Sequence, residues 1–366
     1  MYTLLQNIRI MASTLGKPRF ETLQAGRGIA AVLVVIHHAG DYVGADARFW
    51  HIPIYKDLFF FGALGVQFFF VLSGAVILLA HWKDIGKPRT ALTYVRKRFN
   101  RIYPIYWIVL LGILPGVLTH PTRTSHGDPW TIVSSFLLVH ICSPETVLNV
   151  GWTLFHEVLF YAVFSFLLLS RRLGSLVMGA WLLLSLVQAI QPFGGAIAQA
   201  NLSYLHLLFA MGMVAAFALK HGIRYGYLAA CIIGISSTLY SFFHDVHGPL
   251  ASCISGVGFA LLIYGLATLE QDGKIKVAPW LRFLGDASYS IYLLHFPLLS
   301  ITMRACFSLD KHVHLPIPVW FVAQIVLVGI VGCLFHVFVE RRLLERLAMR
   351  KPHDQLDTQN TSLAAQ

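Results

Sequence analysis

The sequence predicts an all-α, polytopic membrane helix bundle of about ten transmembrane helices with both termini cytoplasmic. Three observations lead there. The 366-residue chain is 57% apolar and only 12% charged, about half the charge of a soluble domain, with a mean hydropathy of +0.67. Apolar runs of spanning length recur along it, and a helix needs about 20 such residues to cross a bilayer. The basic residues divide unevenly between the two sides that those runs define.

In order, the expected spans are 28–44, 59–80, 102–119, 152–170, 173–191, 203–219, 225–243, 249–269, 283–304 and 316–339. With both ends inside, only Arg48, Lys56, Arg123, Arg304 and Lys311 of the 28 basic residues fall outside, as the positive-inside rule requires. The short run 130–142 (WTIVSSFLLVHIC) is read as a surface or re-entrant helix on the outer side. Counting it as a span would expel Arg171, Arg172 and the basic C-terminal stretch. Residues 1–22 are expected to be a cytoplasmic segment without a signal peptide, with Met11 a plausible start. Residues 23–345 form the membrane domain, and 346–366 a disordered cytoplasmic tail. In the loop 81–101, residues 90–101 have good helix formers that could lie flat on the inner surface, attracted by anionic headgroups or binding an anionic ligand.

The net charge of +11 is spread between the spans, which argues against nucleic-acid binding and fits membrane orientation. The five cysteines show no CxxC spacing and read as small apolar fillers, so no disulfide framework and no metal site is expected.

Ionisable groups within spans are costly and mark candidate sites. His37, His38, Asp41, His156, Glu157, His206, Asp286, His295 and His336 are the notable ones; His206 and His336 read as buried structural histidines. At 1.5 Å per residue, His38 lies about 16 Å from Arg27 and about 9 Å from the outer end of the first span. Glu157 lies about 7 or 8 Å below the outer end of its own span, which runs inward from Trp152. An imidazole and a carboxylate at one level suit a general base and its orienting partner. Asp41, at i+3 from His38, is a rival partner. Ser73 and Gly74 permit close approach of a ligand or of another helix. Arg98 and Arg101, at i and i+3, suit either phosphate recognition or interfacial anchoring. Tyr289, Tyr292 and His295 lie along one helix, with His295 near mid-membrane.

Taken together, LQAGRGIAAVLVVIHH, GVQFFFVLSG, RKRFNRIYPIYW, GWTLFHEVLFY, LGDASYSIYLLHFPLL and FVERRLLER resemble the acyltransferase-3 family of integral-membrane O-acyltransferases, in particular its exopolysaccharide-production branch. The resemblance covers roughly residues 20–345. It implies that Arg27 and His38 form the family's arginine–histidine motif, that Arg98 and Arg101 form its RxxR element, and that Glu157 is its motif carboxylate. It also implies acyl-CoA as co-substrate, acetyl as the group moved and a bacterial inner-membrane location. The acceptor would be a sugar hydroxyl of a surface or exopolysaccharide, or of its lipid-linked precursor. Synthesis and export machinery and membrane lipids are then expected partners. The chain departs from the family at Gln24–Arg27 (QAGR for DGLR), Gln67, His156 and Arg341.

On this reading Arg27, Arg98, Arg101, Ser73 and Gly74 hold the CoA donor. His38 is the base, Glu157 orients it, and transfer is direct because no serine or cysteine nucleophile stands beside a base. A proton-coupled transporter of a glycan or small acid and a scaffold for polysaccharide export are the competing expectations.

Overall fold

The computed structural model describes residues 20–119, 128–141, 143–223, 225–243 and 248–349. The two terminal segments expected from the sequence therefore lie almost wholly outside the described residues, as does Cys142.

Ten long helices stand where the ten spans are expected. They are α1 (Glu21–Gly44), α3 (Leu64–His81), α4 (Pro88–Thr119), α6 (Trp152–Leu169), α7 (Arg171–Ile190), α9 (His206–Lys220), α10 (Tyr227–Phe243), α11 (Pro249–Gln271), α13 (Ser288–Val313) and α14 (Ile317–Phe335). Eight helical stretches among the described residues are long and apolar enough to cross a membrane. Tyr227–Ser241 is a shorter apolar helix, and α1 carries Glu21, Arg27 and Asp41 within its length. Backbone polar groups in hydrocarbon must pair within their own segment, which is why apolar runs of this length become helices. The molecule is a multi-pass membrane bundle.

Shorter elements refine the expected boundaries. Helix α2 (Pro53–Phe59) and a 3₁₀ turn (Phe60–Ala63) precede α3 and run into it as one apolar helical stretch, Pro53–Asp84. Residues 90–101 belong to the continuous helix α4, with Ala91 and Tyr94 buried; they do not form a separate surface helix. Helix α5 (Pro129–Leu137) has nine residues and is capped by the Asp128 carboxylate, too short to cross. Helices α8 (Ala196–Asn201) and α12 (Pro279–Asp286) are connecting pieces. A π-helical turn (His336–Glu340) joins α14 to α15 (Arg341–Met349). Extra residues of this kind re-aim side chains and recur at functional sites.

Two glycine crossings set the helix positions that matter. A Cβ on Gly74 would lie 2.0 Å from the Phe209 carbonyl oxygen, and one on Gly212 1.8 Å from that of Val71, so α3 and α9 meet backbone to backbone. A Cβ on Gly285 would lie 1.9 Å from the Gln24 carbonyl oxygen, and one on Gly28 2.8 Å from the Gly285 nitrogen. Gln24 Nε2 also donates to Asp286 at 2.8 Å. This second crossing locks α1 against α12, immediately ahead of α13. The rest of α1 then runs alongside α13, burying Ala31, Val35 and Ala39 against Ile291, Leu299 and Met303.

Candidate active site

A cavity of about 100 Å³ lies among α1, α3, α4, α6 and α13. Arg27 comes from α1, Ser73 from α3, Arg98 and Arg101 from α4, and Glu157 and Tyr161 from α6. Three guanidinium groups thus face one carboxylate. The Nε atoms of Arg27 and Arg98 are buried without a hydrogen-bond partner. Buried donors without acceptors are costly, and an anion placed among them would satisfy both. Arg98 is held by stacking: its guanidinium lies 5.6 Å from the Tyr94 ring centroid and 5.5 Å from that of Tyr161. Its Nη2 also lies 3.2 Å from His81 Nε2.

Glu157 accepts hydrogen bonds from Ser73 Oγ at 3.3 Å and from the Tyr161 hydroxyl. This placement differs from the depth read off the sequence, which set Glu157 level with His38. The reason lies in the chain before α6. After Leu138, which adopts a left-handed conformation, the backbone runs into the bundle. Leu148, Val150 and Gly151 are buried, and the Tyr292 hydroxyl reaches both Thr153 Oγ1 at 2.9 Å and the Val150 carbonyl at 3.4 Å. The first turn of α6 is therefore packed on α13 through Thr153, and one turn on, Glu157 falls among the arginines.

Gly74 does not line the cavity, because it is consumed in the crossing with α9. Ser73, beside it, does. Tyr289 lines the cavity with its hydroxyl donated to the Ile102 carbonyl at 2.8 Å.

The cavity lining ends at Tyr292, whose ring meets that of Phe69 edge to face at 5.8 Å. One helical turn beyond it lies a second cluster. His295 is fully buried, and its Nδ1 donates to the Tyr292 carbonyl at 2.5 Å. That bond leaves Nε2 as the lone-pair nitrogen, buried and without a partner. The His295 ring stacks on His38, centroids 5.1 Å apart and planes at 12°, and Phe296 meets His38 edge-on at 5.4 Å. His38 Nδ1 lies 3.5 Å from Asp41 Oδ2, and His37 Nε2 lies 3.5 Å from the same oxygen. The structure thus pairs His38 with Asp41 and His295, while Glu157 sits among the arginines. Past the end of α1, Arg48 bonds Asp46 and holds that carboxyl below its ordinary range by hydrogen bonding.

Sequence reasoning passed over Tyr161, Thr153 and Glu340. Tyr161 was detectable at i+4 from Glu157. Glu340 is buried and accepts from Ser290 Oγ at 2.6 Å and His336 Nδ1 at 2.8 Å. The π-helical turn that aims it has no clear sequence signature.

Comparison with known proteins bears on what this arrangement does. The Acyl_transf_3 family model, described as an acyltransferase domain, matches residues 20–338. The chain belongs to this acyltransferase family. Its curated relatives include the exopolysaccharide production protein ExoZ of Rhizobium meliloti, 28% identical over 80% of this chain and 93% of the relative. Another is the acyltransferase MdmB of Streptomyces mycarofaciens, 26% identical over 80% of this chain and 83% of the relative. A third is protein 2 in the picA locus of Rhizobium radiobacter, 27% identical over 40% of this chain and 81% of the relative. No solved structure matches. All of the candidate residues of this acyltransferase, from Arg27 to His295, lie within the matched range.

Proposed function

We propose that this membrane acyltransferase moves an acyl group, acetyl in the first instance, from acyl-CoA to a hydroxyl of a surface or exopolysaccharide sugar or its lipid-linked precursor. The observation that carries the reading is two unlike clusters in neighbouring turns of the bundle: three arginines around a cavity, and a stacked histidine pair one turn beyond its last tyrosine. A CoA head group carries several phosphate charges, and Arg27, Arg98 and Arg101 are suited to bind them. The arginine end then faces the cytosol and the histidine end faces outward, in the inner membrane of a bacterium. The name of the relative ExoZ supports a polysaccharide acceptor. Export and synthesis machinery are natural neighbours for such an enzyme.

In the transfer step, neutral His38 takes the proton of the acceptor hydroxyl on Nε2 while the hydroxyl oxygen attacks the thioester carbonyl carbon. The C–O bond forms, the tetrahedral intermediate collapses, and the C–S bond breaks. The departing CoA sulfur takes the proton from imidazolium, so His38 ends as it began. Asp41 orients the ring through Nδ1 and stabilises its positive charge, the role a triad carboxylate plays. Glu157 holds Ser73 and Tyr161 and balances part of the guanidinium charge at the donor end.

Purified protein in detergent, given acetyl-CoA and an acceptor glycan, should release free CoA only when the acceptor is present. Movement of the glycan across a vesicle membrane without thioester loss would instead make the protein a carrier.

A further inference from the structure

The histidine end contains more than a base and its partner. His37 Nε2, His38 Nδ1 and an Asp41 oxygen all lie within 4.8 Å of one another, on a single turn of α1. Both nitrogens lie 3.5 Å from the same oxygen, Asp41 Oδ2. Zinc bound by imidazole and carboxylate at about 2.0–2.1 Å in tetrahedral geometry holds its ligand atoms about 3.3–3.4 Å apart. Two of the three edges are therefore already within a few tenths of an ångström of that value. The donor set, two imidazoles and one carboxylate, is one that zinc-class divalent cations favour over calcium or magnesium. The side chains are 12%, 22% and 35% exposed, so a hydrated ion can reach them and keep a water as fourth ligand. Residues at i, i+1 and i+4 of a helix do not ordinarily converge on one point. Here the ring of His38 is held between His295 and Phe296, and the backbone of α1 beside His37 is pinned by the close approach of Gly62, so the convergence is built by the surrounding helices.

We propose that His37, His38 and Asp41 form a binding site for a zinc-class divalent cation at the histidine end. The consequence for activity rests on the function proposed above. The nitrogen that the cation takes, His38 Nδ1, is the one that Asp41 would otherwise hold. A neutral imidazole coordinated through Nδ1 carries its proton on Nε2 and has no lone pair left for the acceptor hydroxyl. Coordination also withdraws Asp41 from the ring. Binding and catalysis therefore exclude each other, and free zinc on the outer side becomes an inhibitor.

The test starts from full-length protein stripped with chelator, exchanged into detergent and dialysed against micromolar zinc. Wild type should retain one more zinc per chain than His37→Ala or Asp41→Asn, and zinc absorption spectroscopy should show that extra ion with imidazole and oxygen neighbours at about 2.0–2.1 Å. Should His37→Ala fail to fold, judged by gel filtration, His37→Gln takes its place. Equal zinc content in wild type and variants would overturn the site. Acceptor-dependent CoA release by wild type should fall at least ten-fold at saturating zinc and recover with chelator. His37→Ala should keep most of its rate under the same zinc. Inhibition that persists unchanged in His37→Ala would place the inhibitory ion elsewhere and overturn the proposal. Zinc content is measured without turnover, so a zinc difference in a protein that releases no CoA would uphold the site and count against the function proposed for His38.

Discussion

The arginine cavity and the histidine cluster share helices α1 and α13, yet they are built in opposite ways. Five helices contribute to the cavity, and its fixed charges come from three of them: Arg27 from α1, Arg98 and Arg101 from α4, and Glu157 from α6. The histidine end draws three of its four polar side chains from one turn of α1 and the fourth, His295, from α13. The cavity presents donors that lack acceptors; the cluster presents ring nitrogens whose lone pairs stay free. Binding a polyanion calls for positive charge arranged in advance, and moving a proton calls for one base with a free lone pair and a single orienting carboxylate. The division explains why a carboxylate that resembles the family's motif acid sits with the arginines and not with the base.

The largest expected effect comes from the cluster. His38→Ala should lower acceptor-dependent CoA release by about 10²–10⁴-fold, the usual contribution of a general base, with CoA affinity unchanged within about two-fold. If turnover survives, proton transfer does not pass through this ring. At the other end, Arg98→Ala combined with Arg101→Ala should raise the donor KM about 10- to 100-fold, as loss of charge-assisted hydrogen bonds worth about 1.5–3 kcal/mol each would do once solvent and Arg27 compensate in part. If only the amount of folded protein falls, the two residues are anchors.

A paired measurement sharpens the contrast. Asp41→Asn should lower kcat about ten-fold at constant donor KM, while Glu157→Gln should act chiefly on donor KM. The reverse assignment would return Glu157 to the base. The smallest expected effect is on chemistry at Gly74. Gly74→Ala should cost at least about 1–3 kcal/mol of stability through overpacking against the Phe209 carbonyl, read as a lower melting temperature, with the donor KM of the surviving protein unchanged. A raised KM without destabilisation would put Gly74 back in the donor site.

Eight of the ten long helices were legible from length and hydropathy: a run such as Leu64–His81 has no alternative in hydrocarbon. The arginines were legible as candidates because α4 repeats them at i and i+3, and their role came from the family resemblance. The partner of His38 was not. The sequence places the start of α6 at the bilayer surface, whereas Leu148 and Val150 just ahead of it are packed inside the bundle. The stacking of His295 on His38 was also hidden, since it depends on Gly28 and Gly285 letting α1 and α12 touch just ahead of α13, a contact between residues more than 250 positions apart. Gly74 carried two meanings in the sequence, space for a ligand or space for a helix, and the backbone of α9 decides for the second.

The most direct test of the two-cluster reading is an experimental structure of the protein with CoA bound. The account predicts phosphate oxygens within hydrogen-bonding distance of Arg27, Arg98 and Arg101, with the sulfur lying past Phe69 on the side of Tyr292 that faces His38. Phosphates bound away from those arginines, or a thiol walled off from the histidine pair, would contradict it.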